Sequence, residues 1–124
     1  HPAIKNLKHV LLENQLLSKS VQKIFKSVQK KIQFGFIFGS AAQGSDTAVS
    51  DIDFFFVGEL RFDEMSGMLF SLSQKLEREC NGVVYSIKDF QERLKNPSSF
   101  IVEVMKGAKI WLWGDANEFT KMGQ

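Results

Sequence analysis

The sequence predicts an α/β (α+β) fold, a small mixed β-sheet with helices packed on it. Three observations lead there. Two short apolar runs, Phe34–Phe38 and Phe54–Val57, have strand length and flank a glycine-serine turn. Stretches around them, His1–Lys31 and Phe62–Glu79, repeat apolar residues every three or four positions, the helical period. Further β-forming runs, around Val83-Val84-Tyr85 and at Lys109–Trp113, alternate with helical segments in the second half.

Along the chain, His1–Lys31 reads as helix, with Leu7, Val10, Leu11 and Leu17, then Val21, Ile24, Phe25 and Val28, at helical spacing. Leu17-Ser18-Lys19-Ser20 offers serine caps and predicts a split into two helices. Ile32–Phe38 is the first strand, Ser40–Gln43 a short helix, Ser45–Ser50 a loop, and Asp51–Val57 the second strand. Gly58-Glu59-Leu60 turns the chain into the helix Phe62–Glu79, whose Phe62, Met65, Leu69, Leu72 and Leu76 are spaced for one buried face. Cys80–Ile87 is the third strand and Lys88–Lys95 a helix ended by Asn96-Pro97. Pro97 or Ser98 starts the next helix, Ser99–Lys106, which Gly107 closes. Lys109–Trp113 is the last strand, and its Trp111 and Trp113, alternating around Leu112, are expected on one face.

With 124 residues the chain is expected to form one domain, a helical segment at 1–31 followed by a mixed-sheet core at 32–124. Twelve phenylalanines against one tyrosine predict a phenylalanine-filled core. A net charge of +2 is too small to argue for nucleic acid. The single cysteine, Cys80, excludes internal disulfides and a cysteine-rich zinc site, and suits a reducing cytoplasm. No apolar run approaches the roughly 18–20 residues of a membrane span. The first residue is His1 and not methionine, as expected of a trimmed chain or of a piece of a longer one. Lysines 5, 8, 19, 23, 26, 30 and 31 oppose only Glu13 in the first segment. A solvated cationic helix face is the plain reading; the sharper one is a surface for phosphate, nucleic acid or an acidic partner, whose nucleic-acid version lacks the interleaved aromatic residues that stack on bases.

The chemistry concentrates in Phe34–Gly58. Asp51 and Asp53 stand at i, i+2 on a strand, so their side chains share a face about 6.5–7 Å apart along the chain. Three phenylalanines after Asp53 place the pair at the end of a buried strand and not on an exposed one. Carboxylates that close repel unless a cation lies between them, and hard divalent ions, Mg²⁺ or Mn²⁺, take such oxygens and leave positions for phosphates. Gly39 lets the backbone approach a ligand, and the N–H groups that follow Ser40 open an anion site if Ser40–Gln43 is helical. Phosphate donors facing a metal-binding carboxylate pair make a nucleoside triphosphate site. Lysines are expected to add charge there, but no pattern singles one out.

The whole pattern is G-S-x3-G-x5-S-D-x-D, carried by Gly39, Ser40, Gly44, Ser50, Asp51 and Asp53. It resembles the signature of the DNA polymerase β-like nucleotidyltransferases in their minimal, single-domain form. The resemblance implies transfer of a nucleoside monophosphate from an NTP, ATP first, with Asp51 and Asp53 as catalytic metal ligands. It implies nucleotide binding by Gly39, Ser40, Gly44 and Ser50. A looser likeness over most of the chain, including Val83-Val84-Tyr85-Ser86, Asn96-Pro97 and Lys109–Asp115, is to a bacterial and archaeal subgroup often fused to an N-terminal winged-helix domain. It implies an antitoxin-like or regulatory role, with a protein or toxin as acceptor.

Active members of the family carry a third carboxylate on a later strand, and the element order puts that position at about Asn81. Asparagine cannot take a proton at neutral pH. Glu79 shares its strand parity and is a candidate stand-in, whereas Asp89 and Glu103 fall on helices as surface charges. Two readings follow: an Mg²⁺-dependent nucleotidyltransferase, and a catalytically weak or inactive nucleotide-binding module. Ile4, Leu7 and Leu11 offer an apolar stripe on which a homodimer is expected to pack.

Overall fold

The computed structural model describes residues 15–43 and 51–123. Its four-stranded sheet has the order β3-β2-β1-β4. The strands are β1 (Ile32–Phe38), β2 (Ile52–Gly58), β3 (Cys80–Tyr85) and β4 (Ile110–Trp113). Strand β1 pairs antiparallel with both β2 and β4, while β2 and β3 run parallel. A parallel pair needs a crossover, supplied here by helix α3 (Phe62–Leu76). The sheet is mixed, with helices packed on it, as the sequence predicts, and they cover both faces.

Strict alternation along β2 creates the two faces. Ile52, Phe54 and Phe56 point to a core closed by Val21, Phe25 and Val28 from the first helical segment and by Met65, Leu69 and Leu72 of α3. Phe55 and Val57 point to the other, where Phe34 and Phe36 of β1 meet Phe90 of α4 (Ile87–Lys95), Ile101 and Val104 of α5 (Ser99–Lys106), and Phe119 of α6 (Ala116–Lys121). The predicted phenylalanine core is this second face above all. Phe36 and Phe55 stack at 5.1 Å, and Phe119 meets Phe36 edge-on at 5.2 Å.

Several sequence expectations change. Residues 15–24 form one unbroken helix, α1, through the expected split at Leu17–Ser20. The irregularity comes later, at Phe25, where the chain tightens into a 3₁₀ turn, Lys26–Lys31. The apolar stripe of Ile4, Leu7 and Leu11 lies outside the described residues, as does Val10. Lys19, Lys23, Lys26, Lys30 and Lys31 are exposed, and Lys31 pairs with Glu64 at 2.7 Å, in line with a solvated cationic face.

Helix α3 ends at Leu76 because Glu77 adopts a left-handed conformation (φ 54°). Phe62 does not join its buried face and is 68% exposed. Strand β3 ends at Tyr85, since Ser86 caps α4 by accepting from the Asp89 N–H at 3.1 Å. Ser98 caps α5 in the same way, accepting from Ile101 at 3.3 Å.

Trp111 and Trp113 lie on opposite faces. The β1–β4 register shifts between Gly35 and Phe36, so Gly35 faces Trp113 and Phe36 faces Trp111. That bulge sends Trp111 to Phe36 and Phe119, and Trp113 to Phe25 and Phe56. Among the described residues no helix is long and apolar enough to cross a membrane.

Candidate nucleotide site at the sheet edge

The chain leaves β1 at Phe38 through Gly39, which has φ +75°, a conformation that glycine adopts without strain. The Gly39 carbonyl accepts from the Ala42 and Gln43 N–H groups, both at 3.1 Å, and so opens the short helix α2 (Ser40–Gln43). Ser40 is exposed at its start.

Antiparallel pairing brings β2 back beside this turn, with Phe38 opposite Asp53. A Cβ on Gly39 would stand 3.3 Å from the Asp53 carboxylate oxygen Oδ2. Glycine therefore provides both the turn and the clearance at the carboxylate. Asp51 lies just before β2 and is exposed, whereas Asp53 is half-buried one pleat further in.

On the other side of Asp53 the parallel register places Asn81 directly opposite. Its amide Nδ2 donates to Asp51 Oδ2 at 3.2 Å. The expected third-carboxylate position is thus next to the pair and is filled by a hydrogen-bond donor. Glu79 is exposed, and its backbone carbonyl ties down the start of β2 by accepting from the Ile52 N–H at 2.9 Å. Among the described residues no three acidic, histidine or cysteine side chains cluster as a metal site. Asp89 and Glu103 are exposed on α4 and α5, as expected. Gly44 and Ser50 lie outside the described residues.

Burial pushes the Asp53 carboxyl above the ordinary carboxylate value, the nearby Asp51 charge pushes it further, and the Asn81 amide pulls it partly back. Strain of that kind is relieved by a cation shared between the two carboxylates. The donor set, two aspartates with open solvent on the Asp51 side, suits a hard ion that keeps positions for phosphate oxygens. Burial likewise raises the Cys80 thiol, which disfavours its thiolate form.

The register also brings Lys109 to this edge. Ile110 faces Ile37, so Lys109 comes alongside the Phe38–Gly39 end of β1. No sequence pattern marks it, because its place depends on how β4 pairs.

No curated protein sequence matches the chain. The fold is similar to solved structures at 18–19% identity. One is a toxin–antitoxin structure with AMP-PNP (19% identity, TM-score 0.62, covering 86% of this chain and 80% of that one). A second is a tri-AMPylated Shewanella oneidensis HEPN toxin in complex with MNT antitoxin (18%, TM-score 0.58, 89% and 80%). A third is the MntA–HepT toxin–antitoxin (18%, TM-score 0.57, 88% and 80%). At such identities the likeness is one of fold. The family described as "Polymerase beta, Nucleotidyltransferase" matches residues 19–113, which span β1 to β4 and both aspartates. The chain therefore belongs to the polymerase β-type nucleotidyltransferase family.

Proposed function

We propose that this domain transfers a nucleoside monophosphate, AMP first, from an NTP to a hydroxyl on a partner protein, with Mg²⁺ or Mn²⁺ as its ion. The observation that supports the reading is the approach of Gly39 to Asp53, which brings the glycine-serine turn and that carboxylate side by side. The fold likeness to structures holding AMP-PNP and a tri-AMPylated toxin supports ATP as donor and a toxin-like protein as acceptor.

In the reaction a bond forms between the acceptor oxygen and the α-phosphorus, while the bond from that phosphorus to the bridging oxygen breaks. Pyrophosphate leaves with the electron pair of the broken bond, and the acceptor's proton passes to solvent. Asp51 and Asp53 would hold the ion, which would supply positive charge to the phosphate oxygens. Gly39 and Ser40 present N–H groups, with the Ser40 hydroxyl, to the polyphosphate. Asn81 orients Asp51 through its amide and leaves the attacking hydroxyl without a carboxylate base.

That last feature favours a second reading, a regulatory module that binds nucleotide and pairs with a partner without transfer. Calorimetric titration of ATP with and without Mg²⁺, on the protein and on Asp51→Asn/Asp53→Asn, separates the two when run beside a radiolabel-transfer assay with a candidate toxin. We expect Mg²⁺-dependent binding that the double variant loses, and label on the partner. Binding without label supports the regulatory module, and no binding removes both.

A further inference from the structure

Asn81, Asp53, the Phe38-Gly39 corner and Lys109 follow one another across the sheet edge, one for each strand line. Neighbouring strands lie about 4.8 Å apart, so two spacings put the Lys109 backbone about 10 Å from that of Asp53. The two residues use the same face. Asp53 alternates with Phe55 and Val57 toward α4, α5 and α6, and Lys109 Nζ lies 5.6 Å from the ring centre of Phe36, in that same aromatic layer.

The setting of this ammonium sets it apart from the other lysines. It is half-buried, and it donates to the carbonyls of Met105 at 3.2 Å and Gly107 at 2.9 Å. Burial lowers its pKa with no opposing contribution from an acid. Among the described residues Lys31, Lys95 and Lys121 pair with glutamates, and no carboxylate pairs with Lys109. An ammonium has three N–H donors, of which the carbonyls take two. A partly desolvated cation with no counter-ion gains most from an anion that arrives with the ligand.

We infer that Lys109 binds the polyphosphate of the nucleotide on its leaving-group side, continuing the line from the carboxylates through the Gly39-Ser40 turn; this rests on the nucleotidyltransferase reading above. Asp51 and Asp53 then hold the ion end of the triphosphate, and Lys109 anchors the far end. The carbonyls at the end of α5 hold its side chain in place and share its charge.

A purely structural lysine, tying α5 to β4, would also show these two hydrogen bonds, so the test needs a readout that such a tie does not move. Titration of Mg·ATP into Lys109→Met should give a dissociation constant at least about tenfold weaker than that of the unaltered protein, and Lys109→Arg should recover most of the loss. In parallel, lysine acetylation of the unaltered protein is followed by mass spectrometry with saturating Mg·ATP and with AMP. ATP should shield Lys109 severalfold and AMP should not. Unchanged labelling under ATP overturns the inference even where Lys109→Met binds poorly, and it needs no variant to fold. If Asp51→Asn/Asp53→Asn loses Mg·ATP while Lys109→Met retains it, Lys109 alone is wrong. If the unaltered protein binds no ATP, both readings fall.

Discussion

Strand β2 has two ends that follow one alternating pattern to opposite results. Asp51 is exposed, Asp53 is half-buried, and Phe55 and Val57, the next residues on the same face, are fully buried. Over a few residues of one strand the sheet passes from a charged edge to an aromatic layer under three helices. The buried end fixes where the strand sits, and the polar end is placed by it. Fold and chemistry are thus separable by residue, although they share a strand, and each variant below is expected to strike one end and spare the other.

The largest effect belongs to the buried end. Phe55 stacks on Phe36 and meets Phe90 at 5.6 Å and Tyr85 at 5.3 Å. Phe55→Ala should cost about 3–5 kcal/mol through lost transfer energy and an unfilled cavity. Urea denaturation would measure it. A cost below about 1 kcal/mol would mean that the aromatic layer collapses around the gap and does not set the strand's position.

At the polar end the sign reverses. A carboxyl whose folded pKa is raised binds its proton more tightly in the native state than in the unfolded chain. Between its ordinary value of 3.8 and the raised value, stability therefore falls as pH rises. Above that window the native protein carries the full penalty of the buried, repelled charge. Without divalent ions, Asp53→Asn should melt higher than the unaltered protein at neutral pH, and the gap should close as pH falls below 3.8. With Mg²⁺ added, the unaltered protein alone should gain. A thermal melt series across pH checks both, and a variant that melts lower at neutral pH would refute the assignment of strain to Asp53.

These two ends were legible in the sequence to different depths. The strands β1 and β2, the glycine turn and the carboxylate pair could be read because each rests on local spacing. Even the place of Asn81 beside the pair followed from element order, and the register sets it opposite Asp53. What could not be read depends on partners distant in the chain. Trp111 and Trp113 separate because the β4 register shifts at Gly35, where a Cβ would stand 2.7 Å from the Trp113 ring. Helix α6 went unpredicted, although Asp115 caps it by accepting from the Glu118 N–H at 2.9 Å, and its Phe119 fills the second core. Six residues with one buried aromatic give too little periodicity to mark a helix. Lys109 matters only through strand order, which no local pattern encodes.

Phe62 tests the same limit from the other direction, with the smallest effect. Its spacing to Met65 and Leu69 matches a buried stripe, yet it is the first residue of the helix, and the cover that buries the stripe does not reach it. Met65 and Leu69 are 1% and 3% exposed, against 68% for Phe62. A helical period says which residues share an azimuth but not how far along its axis the helix is covered. Phe62→Ser should therefore shift stability by no more than about 0.5 kcal/mol, whereas Leu69→Ala, two turns on, should cost about 2–5 kcal/mol. Equal losses in the two variants would mean that Phe62 is covered in solution, and that the stripe read from the sequence is the buried face along its whole length.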